Sequence, residues 1–164
     1  EQIPLYQLHR IDPKVPVAES LGELKLLQQE GKIRHIGLSE VSVAELRQAQ
    51  ETAEIVSVQN LYNLVNRSAE ALLDHCTAAG AIAFIPWFPL ATGKLAGTGG
   101  PLDRIAGELG ASPSQLALAW LLKRSPVMLP IPGTASVAHL EDNLQAAEIE
   151  LTDEQFETLS AVAG

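Results

Sequence analysis

Short apolar, β-branched runs alternate with longer stretches of helical periodicity along the whole 164-residue chain. Ile3 to Leu8 reads as a strand. Val17 to Gln29 then sets Leu21, Leu24 and Leu27, with the neighbouring Leu26, on one helical face before Gly31 stops it. His35 to Ser39 is a second short strand. Ser42 caps the next helix with Glu45 three residues on, a capping box, and that helix runs to about Ala53. Ile55 to Gln59 forms the third strand, Ser68 to Ala79 the third helix, closed by Gly80, and Ala81 to Trp87 the fourth strand. A Gly-rich connection, Gly93 to Pro101, leads to helical stretches at Asp103 to Leu109 and Pro113 to Lys123. The second of these opens with Ser112 as N-cap and proline at its first position. Val127 to Ile131 reads as a fifth strand and Ser136 to Ala147 as its helix. Thr152 and Gln155 form another capping box on a terminal helix.

Strands that alternate with helices lie parallel and are joined by right-handed crossovers. Two architectures share this order, an open doubly wound sheet and a closed barrel of eight units. Five units cannot close an eight-stranded barrel, which needs about 250 residues. The barrel reading therefore makes the fold class α/β, a partial, half TIM-type barrel of about five parallel strands. It would form a single domain over residues 1–164, with about three β/α units missing on its N-terminal side.

Composition narrows the function classes. Hydrophobic residues make up 46% of the chain and the mean hydropathy is +0.11, which excludes a disordered chain. Apolar runs such as Ala81 to Ile85 are broken by Pro86 and are too short to span a bilayer, so no membrane partner is expected. A net charge of −9 argues against nucleic acid, whose phosphates demand a basic surface. The cations of Gly31-Lys-Ile-Arg-His35 suit a helix C-terminus. A small anionic cofactor remains compatible, because backbone N–H groups at a helix start bind anions locally. The single cysteine, Cys76, reads as a structural thiol. With no signal-like opening stretch, it fits a reducing compartment, the cytoplasm.

In both architectures ligands bind at the C-terminal ends of the strands. Those ends carry His9, Ser39 with Glu40, Gln59 with Asn60, Trp87, and the Gly133-Thr-Ala-Ser136 loop, all expected on one face. The doubly wound alternative calls for a G-x-G-x-x-G turn after the first strand, and the chain has none. Gly97-Thr-Gly-Gly100 sits within a loop and reads as flexible connection. Ile131 to Ser136 ends a strand and enters a helix, which suits a phosphate; an ordinary N-cap at Ser136 explains it equally well. No metal site is assigned.

The strand ends resemble a known family. Leu5-Tyr-Gln-Leu-His-Arg10, Gly31-Lys-Ile-Arg-His-Ile-Gly-Leu-Ser39, Val58-Gln-Asn-Leu-Tyr-Asn63, Pro86-Trp-Phe-Pro-Leu-Ala-Thr-Gly93, and Ile131-Pro-Gly-Thr134 with Leu140-Glu-Asp-Asn143 are similar to the aldo-keto reductases. Order and spacing agree along essentially the full chain. The resemblance implies a (β/α)8 barrel that binds NADP(H) without a Rossmann fingerprint and reduces carbonyls to alcohols. NAD(H) remains an alternative.

What the resemblance implies can be followed residue by residue. His9 matches the catalytic histidine that orients and polarises the substrate carbonyl. Ser39 and Gln59 match the partners of the nicotinamide carboxamide, and Glu40 replaces the usual Asn beside them; a carboxylate accepts hydrogen bonds but donates none. Trp87 matches the aromatic that stacks on the nicotinamide, usually Tyr. Leu90 and Thr92 fall along the pyrophosphate. Thr134 matches a hydroxyl near the adenosine 2′-phosphate, Asn143 the adenine contact, and Asp142 stands for a frequent Glu. Gly133 occupies the place of a phosphate-binding Lys, and His139 that of an Arg. The family's proton-donating Tyr, with its Lys and Asp, has no counterpart in these residues. Tyr6 and Tyr62 read as structural. The expected partners are thus a nicotinamide dinucleotide and, in a complete barrel, a small carbonyl compound. A stand-alone, inactive half-barrel that self-associates through its exposed edge strands, as a homodimer or with a missing N-terminal half, is the alternative.

Overall fold

The structure, a computed structural model, describes residues 1–90 and 101–161. Ile3–Leu8 (β1), Val17–Gln29 (α1), Ile33–Ser39 (β2), Val43–Gln50 (α2), Ile55–Leu61 (β3), Glu70–Ala79 (α3) and Ala83–Trp87 (β4) follow the alternation that the periodicity predicts. Helices Pro101–Leu109 (α4), Pro113–Arg124 (α5), Val137–Gln145 (α6) and Asp153–Ala161 (α7) come after them, with a short 3₁₀ turn at Ala146–Glu148. The predicted connection before Pro101 falls largely outside the described residues, as does Thr92. The chain divides into two compact units: Glu1–Asn60 with Ala69–Ile85, and Leu61–Ser68 with Pro86–Gly164.

In the first unit the strands lie in chain order, β1-β2-β3-β4, and β1 pairs with β2, and β2 with β3, in parallel. This is an α/β fold in which four parallel strands alternate with helices. Val17, Leu21 and Leu24 bury one face of α1, whereas Leu26, read from the sequence as part of that face, is 51% exposed. Leu26 lies about 140° around the helix from Leu21, outside the stripe that faces the sheet. Ile36, Leu38, Leu46, Val58, Leu73 and Phe84 are fully enclosed and form the centre of this core. Helix α2 begins with a complete capping box: Ser42 Oγ accepts from the Glu45 N–H at 3.2 Å, and Glu45 Oε2 accepts from the Ser42 N–H at 2.7 Å. Gly80 ends α3 with φ +69, a left-handed turn that glycine adopts without a Cβ penalty.

The register of β2 shifts between Ile36 and Gly37. From there Gly37 stands level with Gln7 on β1 and Ser57 on β3. Gln7 Nε2 passes over the glycine and donates to Ser57 Oγ at 3.3 Å. A Cβ at Gly37 would lie 2.3 Å from Ser57 Oγ and 3.0 Å from Gln7 Cγ, so only glycine leaves room for this crossing.

In the second unit Trp120 of α5 is the hub. Its ring stacks against Tyr62 (centroids 6.0 Å apart) and Phe156 of α7 (5.7 Å). The Arg67 guanidinium stands 4.7 Å from the ring centroid, and the indole N–H donates to Ser160 Oγ at 2.9 Å. Arg67 also donates to the Ser160 carbonyl at 2.8 Å. Tyr62 is thus structural, as read from the sequence. Helix α5 opens on Ser112 with proline at its first turn, and Gln115 completes a capping box there.

The fifth strand expected over Val127 to Ile131 is reduced to a single β-bridge position at Met128; among the described residues the sheet has four strands. Pro130 and Pro132 bring no N–H to a ladder, and Leu129 and Ile131 stand 55% and 44% exposed. The β-branched run has the side chains of a strand, but a ladder longer than one bridge also needs successive backbone donors.

Candidate functional site

Alternation along a strand puts every second side chain on one side of the sheet. Gln7, Gly37 and Ser57 form one row of such positions, and two residues further along come His9, Ser39 and Gln59. Ser39 pairs directly with Gln59. His9 and Ser39 each lie one residue beyond the Leu8–Leu38 pair. The first unit therefore brings together, at the C-terminal ends of three neighbouring strands, the histidine, serine and glutamine singled out from the sequence.

The turn that follows β2 is held on the β3 side. Ser39 Oγ donates to the Gln59 carbonyl at 3.0 Å, which leaves the hydroxyl oxygen able to accept. The Glu40 N–H donates to the same carbonyl at 2.9 Å. Asn60 brackets Val41, its Oδ1 accepting from the Val41 N–H at 3.3 Å and its Nδ2 donating to the Val41 carbonyl at 3.0 Å. Glu40 itself adopts φ +54, unusual for a residue with a long side chain. Its carboxylate forms an ion pair with Arg10 at 3.2 Å. The sequence marked Glu40 as an oddity and passed over Arg10. The pairing is between residues thirty positions apart, and no local pattern announces it.

Within the second unit, Trp87 is half-buried and packs at a tilt on Phe88, centroids 6.2 Å apart. Phe88 also has positive φ, +59, and its carbonyl accepts from Asn63 Nδ2 at 3.0 Å. Leu90 is half-buried just beyond. The Gly133–Ser136 loop enters α6 as a capped helix start: Thr134 Oγ1 accepts from the Ser136 N–H at 3.1 Å, and Ser136 Oγ from the His139 N–H at 3.4 Å. Gly133, Thr134 and His139 are exposed. Asp142 is turned toward α5, where its carboxylate accepts from Ser112 Oγ at 3.2 Å and its carbonyl from Gln115 Nε2 at 3.1 Å.

Asn143 is different. Its Nδ2 is buried and finds no acceptor among the described residues. It lines an apolar groove of about 470 Å³, together with Ile131, Pro132, Gly133, Leu140 and Leu144. A buried donor without an acceptor is costly, and a ligand offering one would relieve it. Elsewhere Cys76 is fully enclosed, and burial pushes its thiol up to about 11, so it is no nucleophile in the folded protein. No helix among the described residues is long and apolar enough to cross a membrane.

Comparison with known proteins gives this arrangement its context. The uncharacterized oxidoreductase C215.11c of Schizosaccharomyces pombe is 55% identical over 97% of this chain, which covers 52% of that protein. Pyridoxine 4-dehydrogenase of Escherichia coli is 44% identical over 90% of the chain, covering 51% of that protein. The chain thus spans about half the length of these relatives. The crystal structure of an aldo-keto reductase from Klebsiella pneumoniae in complex with NADPH superposes with a TM-score of 0.88 at 30% identity. That match takes in 99% of this chain and 59% of the other. The four-stranded α/β arrangement accordingly matches part of a TIM-type barrel. The family model described as "Aldo/keto reductase family" matches residues 1–163, and the chain belongs to that family.

Proposed function

We propose that this chain carries the NADP(H)-binding part of an oxidoreductase that converts a carbonyl to an alcohol. The observation that carries the reading is the row formed by His9, Ser39 and Gln59 at three adjacent strand ends. Ser39, Glu40 and Gln59 serve the nicotinamide carboxamide end in this reading, and Trp87 offers its ring to the nicotinamide face. Leu90 and Thr92 serve the pyrophosphate, Gly133, Thr134 and His139 the 2′-phosphate, and Asp142 and Asn143 the adenine. The unsatisfied Nδ2 of Asn143 fits a ring nitrogen acceptor. NADPH bound to the Klebsiella relative supports the choice of cofactor over NADH.

When bound, the reduced nicotinamide supplies a hydride. His9 hydrogen-bonds the carbonyl oxygen and draws charge from the carbon that is attacked. The Ser39 hydroxyl, already donating to the Gln59 carbonyl, accepts from the carboxamide amine. A proton must also reach the developing alkoxide, and these 164 residues hold no counterpart of the family's tyrosine donor. Activity therefore belongs to a protein in which such a donor completes the site; the cytoplasm, which keeps the lone Cys76 reduced, is its proposed compartment. Titration of NADPH fluorescence with the chain is the test. Saturable enhancement is expected, and its absence would sink the cofactor reading.

A second reading is favoured by β1. Ile3, Leu5 and Tyr6 are 47%, 38% and 40% exposed on the edge strand of the sheet. An open apolar edge of this kind suits pairing with another chain. In that reading the chain is an inactive half-barrel that self-associates, and sedimentation as a monomer at all concentrations would refute it.

A further inference from the structure

We propose that Arg10 and Glu40 form a positioning lock for the nicotinamide end of the site, an inference that rests on the cofactor reading above. Arg10 follows His9 directly and Glu40 follows Ser39 directly, so a single ion pair of 3.2 Å ties the histidine-bearing end of β1 to the serine-bearing end of β2. On its other side the same turn is fastened to β3, through the Gln59 carbonyl and the Asn60 side chain. Three strand ends are thereby joined laterally, and the Arg10–Glu40 pair supplies the link on the β1 side.

The choice of residue supports a role for the carboxylate. With φ at +54, position 40 would suit glycine or asparagine better on backbone grounds. Glutamate gains nothing there from its backbone, and its side chain is only 23% exposed, so its anion requires a partner. Arg10 supplies that partner through its guanidinium, whose Nη1 stands 3.2 Å from Glu40 Oε2. Glu40 thus acts through Arg10, holding His9 and Ser39 at a set separation. Arg10 and Glu40 are positioning residues; neither acts on the reacting atoms.

The test uses the 164-residue chain and two ligands, NADPH and adenosine 2′,5′-bisphosphate, which lacks the nicotinamide. Arg10→Gln and Glu40→Gln should each weaken NADPH binding by roughly threefold to fivefold, the range of a partly exposed ion pair. Binding of the bisphosphate should stay unchanged. The exchanged pair, Arg10→Glu with Glu40→Arg, should restore NADPH affinity, a rescue that a general loss of folding cannot produce. NADPH affinity within twofold of wild type in both single variants overturns the lock, and so does equal weakening of both ligands. Either result leaves the cofactor reading standing. A wild-type chain that binds neither ligand overturns the cofactor reading and the lock together.

Discussion

Gly37 and Ser57 face one another across β2 and β3 with no space between them for a methyl group, and Gln7 closes over the gap from β1. This crossing lies one row below His9, Ser39 and Gln59, so the floor of the site depends on a residue without a side chain. Gly37→Ala should destabilise the fold by about 1–3 kcal/mol, the usual cost of overpacking. Ser57 Oγ would have to rotate away from Gln7, and the Ser57 carbonyl, 3.2 Å from the new Cβ, cannot move freely. Urea denaturation checks this: the midpoint should fall in Gly37→Ala and partly recover when Ser57→Gly is added.

Trp120 holds the second unit through its ring and its N–H together. Trp120→Ala should cost about 3–5 kcal/mol, as expected for emptying a large buried aromatic site. Trp120→Phe keeps an aromatic ring but strands Ser160 Oγ, and should cost about 1–2 kcal/mol. Thermal or urea unfolding of both variants gives the two values, and equal losses would show that the ring's packing contributes nothing beyond the N–H bond that both variants lack.

Cys76 should resist thiol–disulfide exchange with a chromogenic disulfide reagent in the native chain at pH 8 and release the coloured thiolate at the rate of a free thiol once urea unfolds it. The direction of its shift also predicts a pH effect. Burial holds its folded pKa at about 11, above the 9.0 of an exposed thiol. Between those values the unfolded chain has lost a proton that the folded chain retains. Stability is therefore full below pH 9 and falls as pH rises toward 11, by about 1.4 kcal/mol per unit. Cys76→Ala should remove this component of the alkaline slope while leaving a small cavity.

The exposed edge of β1 offers a separate test. Tyr6→Lys places a charge on a strand edge without touching the enclosed core, a common means of discouraging edge pairing. If chains associate through β1, sedimentation velocity should show the wild type shifting to larger species with concentration and Tyr6→Lys remaining monomeric.

Much of the architecture is encoded in interactions spanning a few residues. The capping boxes at Ser42, Ser112 and Thr152 and the left-handed stop at Gly80 join near neighbours. Periodicity also placed β1 and α1 at their observed bounds, Ile3–Leu8 and Val17–Gln29, and put Ser39 and Gln59 at adjacent strand ends. The motifs at those ends identified the family, which the match over residues 1–163 shows. Other features depended on which distant backbones came together. Gln7 reaches Ser57 across fifty residues, Trp120 reaches Ser160 across forty, and Arg10 takes the carboxylate of Glu40. Val127 to Ile131 shows the same limit from the other side. Its side chains have the character of a strand, but a strand is made by hydrogen bonds to a neighbour, and only the packed chain decides whether a neighbour and its donors are there.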